Sequence, residues 1–429
     1  MNRNRVNKKR MGGARVLSRA AAGMLAAALC LQPMTALAGP AGDSSLTSSS
    51  SNAGPGGGSG SSNSGSTGSS GGSTSVSNGS VSAVTSGLGV YRVTENEGIG
   101  AIARGVDVSY WQQNVNWSQV ASDNVQFAML ATRFRGNVDP FFAMNAANAS
   151  QAGLRLGAYI YSYATSVEMA QQEADFVLNL IKDYPISFPV VFDAEDANTL
   201  GTLTQSQVSD VINAFCKRIQ DAGYYPMVYA NEYWIANKID MSKISYDIWV
   251  AKYQQKYTYS KTSMWQASNT GSVKGVNGNV DIDYLYKDYT QIIPGNTWRT
   301  IAGNRYYYQN HVMQKSAWIN DGQNWYYMNA AGNPSTGWLE LSGKKYYLEA
   351  DGHMITGWKT LDGGWRYFDA SGEQATGWRA VDGSWYFMAD NGLMQTGWLE
   401  TGGKKYYLNA SGAMQAGWQN LGGSWYYFD

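Results

Sequence analysis

The strongest constraint on this chain is a twenty-residue aromatic period near its carboxyl terminus. Seven tryptophans recur at a strict spacing of twenty, and a second aromatic cluster keeps the same period. Gly-containing turns separate the two clusters, so each unit is expected to be a β-hairpin too small to bury its own rings. This pattern predicts an all-β solenoid of stacked hairpins over residues 292–429. The periodic tryptophans are Trp298, Trp318, Trp338, Trp358, Trp378, Trp398 and Trp418.

Paired tryptophans in these repeats are candidates for ligand binding. Two tryptophans seven residues apart, joined by a turn and followed by a tyrosine of the next hairpin, can form a three-walled box that favours quaternary ammonium groups. The alternative is that the rings only form the stacking core of the solenoid. The candidate pairs are Trp318 with Trp325, Trp358 with Trp365, Trp378 with Trp385 and Trp418 with Trp425.

These repeats resemble the choline-binding, or cell-wall-binding, repeats of bacterial wall hydrolases. The resemblance implies teichoic acid choline or another wall polymer as the partner, and a neutral glucan is the alternative ligand. Arg305, Lys345 and Lys405 replace the second tryptophan in three units, and Arg366 interrupts an aromatic pair. Units with such a cation are not expected to hold another one. The pair at Trp418 lacks a following hairpin and is expected to form an open box.

Residues 101–291 show short apolar runs that alternate with helical patterns. Two of the helices have candidate start signals, Thr165 with Glu168 and Thr204 with Gln207. Alternating strands and helices predict an α/β domain whose mainly parallel sheet closes into an irregular (β/α) barrel. In such folds the reactive face lies at the carboxyl ends of the strands.

Carboxylates cluster at the ends of several predicted strands. In extended backbone Asp193 and Glu195 project from one face. Crowded carboxylates disfavour double ionisation, so one of them is expected to have a raised pKa and to act as a general acid. Asp281 and Asp283 share a face in the same way, and Asp107 lies in an earlier strand. Acids that converge at one rim of a barrel would suit glycoside hydrolysis.

The residue inventory excludes several other chemistries. The chain has two histidines, His311 and His353, and both lie in the repeats. The barrel region therefore cannot supply histidine to a zinc site, a Ser-His pair or a Cys-His pair. No metal or cofactor is predicted. The formal net charge of zero at pH 7 gives no reason to expect a nucleic acid partner.

Seven segments of residues 103–290 resemble, in order, the landmarks of glycoside hydrolase family 25, the lysozyme-like muramidases. They are "GVDVSYWQQNVNW", "AGLRLGAYIYSY", "FPVVFDAED", "MVYANEYW", "IWVAKY", "MWQAS" and "GNVDIDYLY". The resemblance implies cleavage of the β-1,4 bond that follows N-acetylmuramic acid in the glycan strands of peptidoglycan. It also implies that Glu195 is the general acid, Asp193 its partner carboxylate, and Asp107 and Asp281 the acids of the first and last strands.

The same resemblance suggests which residues contact the sugar. Tyr159 matches a tyrosine that lines the cleft, Tyr161 lies on the same strand face, and Asp283 lies on the face of Asp281. Trp265 is expected to form a wall of the sugar subsite, with a packed core tryptophan as the alternative. Asp193 would orient the substrate's acetamido group, or an aspartate would activate water for inversion. Rival functions are an inactive wall-binding or adhesive protein and another glycosidase such as a chitinase.

The amino-terminal region predicts export. Residues 1–38 combine basic residues, an apolar run of about a dozen residues and the sequence Ala36-Leu37-Ala38, which predicts a signal peptide cleaved after Ala38. The run is shorter than the ~20 residues that a membrane span needs, so no stable span is expected after cleavage. Residues 39–100 are expected to be a disordered Gly/Ser-rich linker, which becomes a solvated tail after signal cleavage. The alternatives are that the signal is retained as an anchor, or that the tail is glycosylated or embedded in the wall. The protein is predicted to be secreted and associated with a Gram-positive-type wall.

Overall fold

The computed structural model describes residues 82–94, 98–253 and 255–429. The predicted signal peptide and most of the predicted linker lie outside these residues. Part of the linker prediction is wrong, because strands β1 (Ser82–Ser86) and β2 (Gly89–Val93) form an antiparallel hairpin. Tyr91 in this hairpin is fully buried in the main core. The apolar residues that enter the Gly/Ser-rich sequence here are therefore sufficient to order the chain.

Eight strands close into a barrel in the order β3-β4-β7-β8-β9-β10-β11-β12. Neighbouring strands are parallel from β3 to β11, and β12 runs antiparallel to both β11 and β3. The prediction of an irregular, mainly parallel barrel is thus confirmed. Strands β5 and β6 form a separate hairpin after β4. The strands are β3 (Ala103–Val108), β4 (Phe127–Ala131), β5 (Arg133–Phe134), β6 (Asn137–Val138), β7 (Arg155–Tyr161), β8 (Ile186–Asp193), β9 (Pro226–Asn231), β10 (Asp247–Ala251), β11 (Thr262–Gly271) and β12 (Val280–Leu285).

Five α-helices connect strands of the barrel. The predicted capping box is confirmed, since the Thr204 hydroxyl accepts from the Gln207 amide and the Gln207 side chain accepts from the Thr204 amide. The other predicted cap is off by one residue, because Ser166, not Thr165, accepts from the Met169 amide at 3.2 Å. The helices are α1 (Trp117–Ser122), α2 (Phe142–Gln151), α3 (Val167–Ile181), α4 (Gln205–Asp221) and α5 (Glu232–Asn237).

Across residues 82–94, 98–253 and 255–429, no helix has the length and apolar character needed to cross a membrane.

Aromatic and methionine side chains fill the interior of the barrel. The rings of Phe127 and Phe188 stack there with centroids 5.1 Å apart. Gly105 makes room for this packing, because a Cβ at that position would lie 2.2 Å from the Phe127 ring. The interior of the barrel is therefore a packed core rather than a pore.

The carboxyl-terminal region is a series of antiparallel hairpins, which confirms the predicted repeat architecture. Successive strand pairs run from β13 and β14 to β26 and β27, and a short β15 joins the first pair. The strands are β13 (Thr297–Ile301), β14 (Asn304–Gln309), β15 (Val312–Met313), β16 (Ala317–Asn320), β17 (Trp325–Met328), β18 (Gly337–Leu341), β19 (Lys344–Leu348), β20 (Gly357–Leu361), β21 (Gly364–Phe368), β22 (Gly377–Val381), β23 (Ser384–Met388), β24 (Gly397–Thr401), β25 (Lys404–Leu408), β26 (Gly417–Leu421) and β27 (Ser424–Phe428).

The first hairpin of the repeats packs directly on the barrel. The Arg299 guanidinium carbon lies 3.9 Å from the ring centroid of Tyr224 and 4.3 Å from that of Tyr308. The Tyr308 hydroxyl donates to the Lys182 carbonyl at 2.8 Å, just beyond α3. Arg299 is only 1% exposed. The joint between barrel and repeats is therefore a packed cation-π sandwich.

Candidate functional site

Four predicted acids meet in one cleft at the carboxyl ends of the parallel strands. Asp107 lies near the end of β3, Asp193 is the last residue of β8, and Glu195 follows two residues later. Asp281 lies at the start of β12, and it reaches the same rim because that strand runs antiparallel to the others. All four line a cleft of about 460 Å³. The barrel thus brings together acids that are far apart in sequence.

Aromatic side chains form much of the wall of this cleft. Tyr159 and Tyr161, both expected from the sequence, line it from β7. Tyr229 and Trp249 were not predicted, and their rings lie 4.8 Å apart on neighbouring strands. The period of two in "MVYAN" and "DIWVA" places both rings on the inner face, so strand alternation was the signal that could have found them.

Trp265 does not line the cleft, which corrects the prediction that it forms a subsite wall. It is 1% exposed and packs on the outside of the barrel wall, with its ring 5.4 Å from that of Tyr257. Its indole N–H donates to the Lys252 carbonyl at 2.9 Å. The neighbouring Gln266 lines the cleft instead, because successive residues of β11 point to opposite faces.

Asp283 does not line the cleft, which corrects its assignment as a substrate-binding residue. It has no exposed surface and accepts a hydrogen bond from the Trp249 indole at 3.0 Å. Asp281 and Asp283 share a strand face as expected, but they lie at different depths. Asp281 borders the cleft and Asp283 lies in the core.

The buried acids raise one another's pKa values. Burial, followed by the charges of Asp281 and Asp283, raises the pKa of Asp107 well above its usual range. Burial and the neighbouring Glu195 do the same for Asp193. Burial raises the pKa of Asp281 to about 6. The cleft therefore holds protons at a pH where ordinary aspartates are ionised.

Glu195 and Asp196 are adjacent but have opposite electrostatic environments. Burial, then the charges of Asp281 and Asp196, raises the pKa of Glu195. Partial burial opposes ionisation of Asp196, yet hydrogen bonds from Thr199 and Tyr161 bring its pKa below the usual value. Glu195 is thus the group that can carry a proton while its neighbour stays ionised.

A hydrogen-bonded amide fixes the orientation of Asp107. The Gln266 side-chain oxygen accepts from the hydroxyls of Tyr229 and Tyr253, each at 2.8 Å. Its NH₂ group must then point away from them, and it donates to Asp107 at 2.7 Å. In contrast, the buried Oδ1 of Asp193 has no hydrogen-bond partner among the described residues. Within the same residues, no group of three or more His, Cys, Asp and Glu could hold a metal ion.

Two aromatic boxes in the repeats have nearly identical geometry. Trp358 lies 6.4 Å from Trp365 at 85°, and 4.8 Å from Tyr386 of the next hairpin. Trp378, Trp385 and Tyr406 repeat this arrangement with the same two distances. Exposure of 50% for Trp365 and 48% for Trp385 keeps both boxes open to solvent.

A third box and an exposed tryptophan pair complete the predicted set. Trp318 lies 5.0 Å from Tyr346, and Trp325 packs in the same apolar cluster. Trp418 and Trp425 are each 65% exposed. At Trp298 the site is occupied internally, because the Arg305 guanidinium lies 4.2 Å from its ring. A cation of the chain itself thus takes the place of a ligand cation there.

Comparison with known proteins gives the class of this chain. The profile of glycosyl hydrolases family 25 matches residues 106–276. Choline-binding repeat profiles match 335–376 and 375–416, and putative cell wall binding repeats match 316–333 and 416–429. The chain belongs to glycosyl hydrolases family 25 and carries a carboxyl-terminal cell-wall-binding module.

The chain is also similar to several individual proteins. The uncharacterized protein YegX of Escherichia coli (strain K12) is 31% identical over 189 residues, which are 42% of this chain and 68% of YegX. Lysozyme M1 of Streptomyces globisporus is 30% identical over 195 residues, 42% of this chain and 66% of that enzyme. The solved structure of CbpJ from Streptococcus pneumoniae TIGR4 has 31% identity and a TM-score of 0.30, and covers 38% of this chain and 61% of its own. The predicted peptidoglycan hydrolase with wall-binding repeats is confirmed at the level of the family.

Proposed function

We propose that this protein hydrolyses the β-1,4 bond between N-acetylmuramic acid and N-acetylglucosamine in peptidoglycan. The convergence of Asp107, Asp193, Glu195 and Asp281 in one aromatic-walled cleft carries the proposal. Such a cleft offers a proton donor, anionic support for an oxocarbenium-like centre, and flat rings along a sugar chain. An inactive wall-binding protein would have no need for a buried acid cluster that costs stability.

Glu195 is the general acid. Its raised pKa favours the protonated carboxyl group, which can give its proton to the glycosidic oxygen as the bond to the anomeric carbon breaks. The resulting carboxylate then accepts a proton from the water that completes hydrolysis. Asp196 is held ionised by Thr199 and Tyr161, and its negative charge favours the protonated form of Glu195.

Asp193 positions the acetamido group of the substrate. Its carboxyl group lines the cleft beside Glu195, where it can accept a hydrogen bond from the acetamido N–H. This contact would turn the acetamido oxygen toward the anomeric carbon, where it forms a bond as the leaving group departs. Water opens that cyclic intermediate and the configuration is retained. The competing route, in which an aspartate activates water, inverts the configuration.

The repeats hold the enzyme on its polymer. The three aromatic boxes suit the choline of teichoic acid, because each offers aromatic faces to a quaternary ammonium group. Once the repeats are bound to the wall, the encounter between the catalytic cleft and a glycan strand becomes intramolecular. The predicted signal peptide would deliver the protein to the outer surface of the cell, and residues 101–291 and 292–429 would act there as catalytic and wall-binding domains.

Digestion of purified peptidoglycan tests the proposal. Borohydride reduction should reveal reduced muramic acid as the new end, and Glu195→Gln should lower the rate by about 10²–10⁴-fold. Glu168→Gln, an exposed glutamate of α3, is the matched control and should leave the rate unchanged. Reduced glucosamine would change the bond assigned, and no new ends would reject hydrolysis. The anomer first released, read by proton NMR, separates retention from inversion.

A further inference from the structure

The repeat at Trp338 keeps the first tryptophan of an aromatic box but has different residues at the other three wall positions. Lys345 stands where the second tryptophan would be, and Arg366 stands where the tyrosine of the next hairpin would be. Gln374 stands where the box at Trp358 has Met394, because the backbone amides of the two residues make equivalent hydrogen bonds. The Gln374 amide donates to the Lys345 carbonyl at 2.7 Å, just as the Met394 amide donates to that of Trp365 at 2.8 Å. The three changes together replace apolar walls with hydrogen-bonding ones.

A cavity of about 360 Å³ opens between these side chains. The Trp338 ring is 41% exposed and offers one flat wall. Its indole N–H donates to Asp362 at 3.0 Å, which holds the ring in place. The cavity walls include both cationic and anionic groups together with an amide, contributed by Glu340, Lys345, Asp362, Arg366 and Gln374.

This cavity lacks the three-walled aromatic box that suits a quaternary ammonium group. The Arg366 guanidinium carbon already lies 5.1 Å from the Trp338 ring centroid, and Arg366 is only 7% exposed. The guanidinium donates to the carbonyls of Asn391 and Leu361 and pairs with Asp362 at 3.5 Å. Arg366 and Lys345 thus take the places of two aromatic walls, so the cavity lacks the faces that hold a quaternary ammonium group in the boxes.

The geometry points to a saccharide-binding site, at which a pyranose ring stacks on Trp338 and its hydroxyl or acetamido groups bond to the polar walls. Two cations and two carboxylates give walls without net charge, which suits a neutral ligand better than an anion. Charged donors and acceptors make strong hydrogen bonds to neutral hydroxyls. An aromatic platform with a few polar groups is also how protein pockets orient small polar ligands.

This assignment gives the repeats a second ligand class. The Trp338 site lies between the boxes that start at Trp318 and Trp358. A polymer that carries ammonium substituents on a sugar backbone could engage both kinds of site at once, with the gain of a bivalent contact. The inference does not depend on hydrolysis, because binding can be measured on an inactive enzyme.

The proposed saccharide site is tested by calorimetric titration of the full chain in a Glu195→Gln background. The probes are N,N′-diacetylchitobiose and isomaltotriose. Trp338→Ala should weaken binding of at least one sugar by about tenfold. Trp398→Ala is the matched control, since this exposed tryptophan is also followed by a lysine, Lys405, but keeps Tyr426 as its third wall. Lys345→Ala should weaken the same sugar, and its exposed position makes this result independent of any loss of folding in Trp338→Ala.

The converse variant tests selectivity. Lys345→Trp, Arg366→Tyr and Gln374→Met together rebuild the aromatic box. This variant should bind one more equivalent of choline than the parent and should lose the sugar site. If neither sugar binds the parent, or if Trp338→Ala and Lys345→Ala leave sugar binding unchanged, the assignment is wrong.

Discussion

Asp281 and Asp107 are cross-strand partners where β12 pairs with β3. This antiparallel closure of the barrel puts the last acid of the domain beside the first. The charge of Asp281 raises the pKa of Asp107 and also that of Glu195. The strand that closes the barrel therefore also tunes the proposed proton donor.

Removal of the Asp281 charge should shift the pH profile of the enzyme. Glu195 must be protonated to act as an acid, so kcat/KM should fall as pH rises through its raised pKa. In Asp281→Asn, Glu195 loses a charge that favours its proton, so this alkaline limb should move to lower pH. A pH–rate profile measures the shift. Asp210→Asn, an exposed change on α4, should not move the limb, and a limb that moves upward in Asp281→Asn would contradict the role of Asp281.

Asp283→Asn should stabilise the fold at neutral and alkaline pH. Burial and the charge of Asp281 raise the pKa of Asp283, so folding binds a proton and stability falls as pH rises above the ordinary aspartate range. Asparagine keeps an acceptor for the Trp249 indole but carries no charge. Thermal unfolding should show a gain of about 0.5–2 kcal/mol near pH 8. The gain should fade below about pH 4, where both states are protonated. A lower Tm at every pH would reject this explanation.

Trp249 and Trp265 should respond differently to replacement by phenylalanine. Trp249→Phe changes the cleft wall and removes the bond to Asp283, so kcat/KM should fall by about tenfold or more. Trp265→Phe leaves a gap outside the barrel and an unpaired Lys252 carbonyl, so stability should fall by about 1–3 kcal/mol with little change in kcat/KM. Steady-state kinetics and thermal melts on both variants make the comparison. Equal kinetic losses would place Trp265 at the substrate after all.

Loss of one aromatic box should lower choline stoichiometry by one. Trp365→Ala opens the box that Trp358 and Tyr386 complete, while the boxes at Trp318 and Trp378 stay intact. Equilibrium dialysis with labelled choline counts the sites, and choline should raise the Tm of the variant less than that of the parent. Trp398→Ala should leave the count unchanged. No choline binding by the parent would leave a neutral polymer as the ligand of the boxes.

The sequence identified the cleft acids because strand alternation and a family resemblance agree on them. Trp265 was misplaced because the family resemblance does not say which face of β11 points inward. Only the pairing of β11 with its neighbours decides between Trp265 and Gln266. Asp283 was misjudged because alternation gives the face of a residue but not its depth. The polar cavity at Trp338 was not predicted, since its walls come from three successive repeats.

The Arg299 sandwich between Tyr224 and Tyr308 would affect how the proposed hydrolase reaches successive bonds of its substrate. Because this buried contact ties the first hairpin to the barrel, a rigid joint would hold the cleft at a constant distance from the wall-bound repeats. The enzyme would then cut only bonds at that distance from the bound repeats. The repeats would have to dissociate before the cleft could reach more distant bonds. The lifetime of the complex between the repeats and the wall would then set how many bonds are cut in one binding event.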